Sequence, residues 1–261
     1  MVDRLSFLKV EQDENISLLT NQQDVWVTAI KVISNFVPFG SPVGELITSI
    51  IPNQKIDRVI RFTEKLNEKL IDCNSKQGDN SKKITNLELK TAEFGDLYEE
   101  AANQASRALT DERLEYIASL LKNSLTDEEL EHIEKKKLLS LLGELNDAEI
   151  IWLKNYSYSI RSLSSKQYKS FYENHKNVLE SIGVTFGSGQ EQIDKDALQK
   201  SYKENLLKLG LIKESFKAFK KGEVPEFDDK TGKIKATSFD VDNLGRLLLK
   251  YIDLKETEET E

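Results

Sequence analysis

Two histidines and one cysteine are the scarcest reactive side chains in this 261-residue sequence, and their spacing decides what chemistry they can do. Neither His132 nor His175 belongs to an HExxH or comparable metal-ligand pattern. His132 follows Glu131 in a strongly charged run and His175 lies between Asn174 and Lys176, so both read as surface histidines. Cys73 alone can form neither an internal disulfide nor a cysteine zinc cage, and it fits a reducing compartment. No Gly-x-Ser-x-Gly elbow offers a nucleophile. The glycine-rich stretch GVTFGSGQEQ lacks the Gly-Lys-Ser/Thr ending with which a P-loop holds phosphate and magnesium. Carboxylates are spread so evenly that no pair stands out as an acid–base dyad. The expectation is a protein that is not an enzyme, with no catalytic, cofactor-binding or metal-binding residues and no cofactor.

The charges offer binding instead, in two places. The run NQKIDRVIRFTEKLNEKLI reads as a helix whose inward stripe is Ile56, Val59, Ile60, Leu66 and Leu70. Arg58, Arg61, Lys65 and Lys69 line its other side, bordered by Asp57, Glu64 and Glu68. The plain reading is a solvated face with local ion pairs such as Asp57 with Arg61; the sharper one is a contact with an anionic membrane surface or a partner. The second place lies between Lys195 and Lys235, where eleven lysines face seven acids in a chain of net charge −8. Lys200, Lys203 and Lys233 are the candidate nucleic-acid contacts there, with Gln199 and Asn205 the residues able to reach base edges. Because acids interleave with these lysines, specific nucleic-acid recognition is not expected.

These residues need elements to hold them. A composition rich in Lys, Glu and Leu, with four prolines, suits amphipathic helices better than a sandwich or barrel. The expected fold is mainly α: a multi-helix body with a small C-terminal winged-helix-like α+β element. Residues 1–73 read as N-terminal helices, 74–85 as a polar linker, 86–183 as a helical middle, 184–254 as the winged-helix-like region and 255–261 as a disordered acidic tail. The first of these regions contains VISNFVPFGSPVGELITSII, the most apolar stretch, broken by Pro38, Gly40 and Pro42. Both of its arms carry a polar stripe and both are far shorter than the about 20 residues a spanning helix needs, so it reads as core. With the first arm taken as a helix over 24–37, Trp26, Ile30, Ile33, Phe36, Leu46, Ile47 and Ile50 are the expected buried residues. The N-terminus MVDRLSFLKVEQDEN shows no apolar run of signal-peptide length, which points to the cytoplasm.

Local punctuation fills in the rest. LTDERLEYIASLL and LTDEELEHIEKKKLLSLL are similar because threonine followed by acids suits a helix N-terminus. Thr126 with Glu129, and Asn146 with Glu149, have capping-box spacing. A helix is expected from about 165 to 182, ending at Gly183, and another over 196–209, ended by the break LGLI. Short strands are expected around 216–218 and 233–238, joined by the turn residues Asp228 to Gly232, with Asp240 capping a final helix.

Three blocks, FGSPVGELITSIIPNQKIDRVIRFTEKLNEKL, LLSLLGELNDAEIIWLKNY and ENLLKLGLI with SFDVDNLGRLLLKYI, resemble uncharacterised bacterial helical proteins, among them the abortive-infection alpha family linked to phage defence. The resemblance covers about half of the chain and rests on packing patterns. It implies a helical body, a winged-helix-like end and a role in defence or stress, and brings no active-site residues with it. The function expected is therefore a non-enzymatic interaction protein with a protein partner. The alternatives are a membrane-surface effector using residues 26–61 and a DNA-binding regulator using the C-terminal basic region.

Overall fold

The computed structural model describes residues 53–76, 89, 91–185, 187–218, 224–227 and 232–254. The apolar segment 24–51, linker residues 77–85 and the tail 255–261 lie outside them, as does the side chain of Ile56. Among the described residues the chain is mainly helical, with one two-stranded antiparallel sheet near the C-terminus. Its contacts fall into two compact units, Met1–Lys135 and Lys136–Glu261.

The described part of the first unit is built around α1 (Asn53–Lys76), α2 (Ala92–Arg107) and α3 (Asp111–Thr126), each touching the other two. On α1, Val59, Phe62, Leu66 and Leu70 recur at three- and four-residue steps and are all buried. Each such side chain removed from water stabilises the fold by about 1.5–3 kcal/mol. Phe94, Leu97 and Tyr98 of α2 and Leu114, Ile117 and Leu121 of α3 complete the core, and the small Ala101 and Ala105 let the helices approach. A pair of hydroxyls is built into this core. The Thr63 hydroxyl donates to Val59 O at 2.8 Å, which leaves its oxygen to accept from the Tyr98 hydroxyl, also at 2.8 Å. Burial pushes the Tyr98 phenol up to about 12, the Thr63 hydrogen bond opposing that shift. Rings at 5.8 Å (Phe62) and 6.2 Å (Phe94) enclose it.

Thr91 and Thr110 cap α2 and α3, their side chains accepting from Phe94 N and Arg113 N at 3.2 Å. The matching threonine in the second LTDE does the opposite. Thr126 is the last residue of α3 and its hydroxyl returns to Asn123 O at 3.2 Å, so the expected box with Glu129 does not form. The reason is the core: Leu120, Leu121 and Ser124 are still buried, which carries the helix through the threonine. The next helix, α4 (His132–Glu144), starts instead where Glu134 Oε2 accepts from Glu131 N at 2.8 Å.

In the second unit the hub is α5 (Asp147–Ser157), which touches α7, α8, β2 and α9. It starts at the expected capping box, Asn146 with Glu149. After a 3-10 turn (Ile160–Ser164), α6 (Lys166–Asn174) begins at the N-cap Ser165. The long helix expected to run to Gly183 divides at His175, whose φ of −117° and ψ of 19° leave the helical range, and α7 (Lys176–Leu179) follows. Then come α8 (Gln190–Lys208), β1 (Ile212–Ser215), β2 (Ser238–Val241) and α9 (Asn243–Tyr251). Helix α8 begins inside the glycine-rich stretch GVTFGSGQEQ, ahead of the start expected at residue 196.

β1 lies outside the segment expected for it, and β2 shares only Ser238 with its expected segment, because LGLI is more than a break. Gly210, at φ +70°, ends α8 in a Schellman motif: its N–H donates to Leu207 O and the Leu211 N–H to Leu206 O, both at 3.0 Å. That turn buries Leu211 and Ile212, and Ile212 pairs with the buried Val241. Among the described residues of the connection, an isolated bridge joins Phe227 and Ile234. Asp240 is in β2, accepting from the Ser215 hydroxyl; the residue that stands at the N-cap of α9 is Asp242. Gly245 of α9 has no room for a side chain, since a Cβ there would stand 2.2 Å from Leu211 O.

Candidate functional site

The basic row of α1 is engaged with its own unit. Arg58 Nη1 donates to Ser106 O at 3.3 Å, Arg61 Nη1 to Asp111 Oδ1 at 3.0 Å, and Lys69 Nζ lies 3.6 Å from Glu115 Oε2. Lys65 is half-buried. Partly exposed pairs of this kind add about 0–1 kcal/mol each, so their main effect is to cover the charge. The partners sit on α2 and α3, 46 to 50 residues away in sequence for Lys69 and Arg61, which is why helix spacing alone pointed to Asp57.

A second feature of this unit was not visible in the sequence. A cleft of about 660 Å3 opens between the start of α2, the end of α3 and the start of α4. Phe94, Leu97, Leu125 and Leu130 supply apolar wall, and Glu93, Asp127, Glu128 and Glu131 supply acids. His132 Nε2 is 3.0 Å from Asp96 Oδ2, and its Nδ1 is buried without a hydrogen bond among the described residues. His132 is thus half-buried rather than free on the surface. An imidazole oriented by a carboxylate can serve as a general base. The hydroxyls on the wall are spent on the backbone, however: Thr91 caps α2 and Ser124 donates to Leu120 O at 2.7 Å. Lys135 Nζ likewise donates to Asp127 O at 2.7 Å. Among the described residues that line the cleft, no free hydroxyl or thiol faces the imidazole.

In the second unit the structure sets Lys200 and Lys203 on α8 and Lys233 on the segment between the strands. Lys200 is paired with Asp196 and Lys195 with Glu191, while Lys203 Nζ lies 4.3 Å above the centre of the Phe239 ring. Lys233 is exposed. The two residues able to reach base edges are committed elsewhere. Gln199 Nε2 donates to Val178 O at 3.1 Å and Glu180 O at 2.8 Å, and Asn205 Nδ2 donates to Glu149 Oε1 at 2.9 Å. The buried Glu149 therefore both caps α5, accepting from Asn146 N at 2.8 Å, and ties α8 to it. Lys154 of α5 is also buried, donating to Leu254 O at 3.0 Å with its ammonium 4.8 Å from the Tyr158 ring centre.

This region also leaves several large apolar side chains exposed. Phe216 (48%), Val224 (77%), Phe227 (52%) and Ile234 (41%) all stand open on the connection between β1 and β2, and Ile193 and Leu198 stand open on α8. Among the described residues there is no group of three His, Cys, Asp or Glu able to hold a metal, and no helix long and apolar enough to cross a membrane. No family model, curated protein or solved structure matches the chain.

Proposed function

We propose that this protein works by binding rather than by catalysis, and that its C-terminal α+β element is the surface that meets a protein partner. The observation that carries this reading is the set of exposed apolar side chains between β1 and β2, where Phe227 and Ile234 face each other across the bridge. Open apolar side chains grouped on one element mark contact sites in soluble proteins. The order helix, strand, long connection, strand, helix is winged-helix-like, and such elements serve protein contacts as well as DNA. DNA is the weaker reading, because Gln199 and Asn205 are engaged with backbone and carboxylate and Lys200 is paired. The membrane reading loses support from the pairing of Arg61 and Lys69 on α1.

A role in phage defence rests on the resemblance to the abortive-infection alpha family. The test is expression in a bacterial host challenged with a phage panel, with the full chain set beside a Phe227→Ser/Ile234→Ser double variant. Lowered phage plating with the full chain, restored in the variant at an unchanged melting temperature, is the expected result. Protection that survives in the variant would move the contact elsewhere. Equal plating with and without the chain would contradict the defence role.

A further inference from the structure

The second unit carries a run of aromatic rings that the contact reading does not use. Tyr158, at the end of α5, lies 5.1 Å from Tyr168 and 5.3 Å from Phe171 between ring centres. Tyr168 is 6.1 Å from Tyr172, and Phe171 is 4.9 Å from His175. Tyr168, Phe171 and Tyr172 follow i, i+3 and i+4 spacing, which puts them along one side of α6, and His175 stands at its C-cap against Phe171. That arrangement usually marks a buried stripe. Here none of the five rings is buried, and α6 buries no residue at all.

Charge in the same place has an unusual sign for this molecule. Residues 158–177 contain four basic residues and one acid, Glu173, in a chain of net charge −8. Lys166, Lys169 and Lys176 are exposed, and among the described residues none of them is held by an acid. This separates them from Lys195, Lys200 and Lys213, each of which is paired with a carboxylate. On the helix, Lys169 borders the ring-bearing side next to Tyr172.

We propose that this ladder binds single-stranded nucleic acid without reading its sequence, bases stacking on the half-exposed rings and phosphates meeting Lys166, Lys169 and Lys176. Open rings bordered by unpaired lysines are the arrangement that holds single strands, since every base has a face to stack and every phosphate a charge. A duplex keeps its bases stacked internally and would reach only the lysines. An acidic protein would likewise use the charge and leave the rings idle. The site is separate from the connection between β1 and β2, so it stands or falls independently of the proposed protein contact.

The test is fluorescence anisotropy of the full chain with labelled oligo-dT and oligo-U strands of about 16 nucleotides and with a duplex of the same length. Single strands are expected to bind about tenfold tighter than duplex, and more weakly as salt rises from about 50 to 200 mM. Lys166→Gln/Lys169→Gln/Lys176→Gln should lose about tenfold in affinity and flatten the salt dependence. Tyr172→Leu should weaken binding about tenfold, and Tyr172→Phe, which keeps the ring, should not. These positions are exposed or half-exposed, and an unchanged melting temperature confirms each variant is folded. No anisotropy change at low salt, equal affinity for duplex, or full affinity in the triple lysine variant would overturn the proposal. Displacement of the strand by polyglutamate as readily as by unlabelled oligo-dT would replace it with an acidic protein partner.

Discussion

Helices α1 and α8 look alike as sequence: both are long, both are dense in Lys and Glu, and both carry scattered apolar residues. They are built into the molecule in opposite ways. Helix α1 buries Val59, Phe62, Thr63, Leu66 and Leu70 along its length, whereas α8 buries Leu206 alone and is held through Gln199 and Asn205. The difference is one of period. The apolar residues of α1 return every three or four positions, so they share a face; Ile193, Leu198 and Leu206 do not, and the first two stay in water. Charge content says little about which helix is core, and apolar phase says a great deal.

The comparison can be broken most forcefully at Phe62. Phe62→Ala empties the centre of the α1–α3 core and should cost about 3–5 kcal/mol by thermal or denaturant unfolding. In the second unit, Gly245→Ala forces a methyl group against Leu211 O and should cost about 1–3 kcal/mol or more, since backbone and not a flexible side chain stands in the way. Thr63→Val keeps the shape of the α1 core but removes the acceptor of the Tyr98 hydroxyl. A buried donor left without a partner should cost about 1–3 kcal/mol. Leu198→Ala, a truncation of an exposed apolar side chain on α8, should change stability by no more than about 0.5 kcal/mol. A loss at Leu198 comparable to that at Phe62 would erase the distinction between the helices.

The same buried tyrosine gives the comparison a pH axis. Tyr98 titrates near 12 in the folded protein and near its usual 10 when unfolded, so between those values the folded state holds more protons than the unfolded one. Its contribution is complete below pH 10 and is lost as pH rises through 12. Stability followed by denaturant unfolding should fall across that window, and the phenolate absorbance of Tyr98 should appear nearer pH 12 than pH 10. Tyr156, pushed up to about 12 by burial as well, adds a loss of the same sign in the second unit.

Much of this was legible in the residues. The stripe Val59, Leu66 and Leu70, the Asn146–Glu149 box and the mainly helical body all follow from periods and caps that act within a few positions. What was hidden depends on residues far apart in sequence. His132 meets Asp96 36 positions away, and Asn205 meets Glu149 56 positions away. Thr126 shows the limit from the other side: its local signal is genuine, but burial of Leu120, Leu121 and Ser124 outweighs it. The strands were displaced for a related reason. Turn-forming residues mark where a hairpin bends, while its pairing sits where Ile212 and Val241 can be buried. The rings of α6 had a visible signal, aromatic residues at helical spacing among lysines, and only the structure shows that they remain open.

Amide hydrogen exchange by mass spectrometry tests the contrast between the two helices most directly, because protection reports how much structure must open before an amide meets water. Peptides covering 59–70 of α1 should exchange only with global unfolding of their unit, while peptides covering 190–198 of α8 should exchange orders of magnitude faster. Equal protection in the two helices would contradict the account: it would mean that α8 is as firmly packed as α1 and is not an element held by a few polar ties and one leucine.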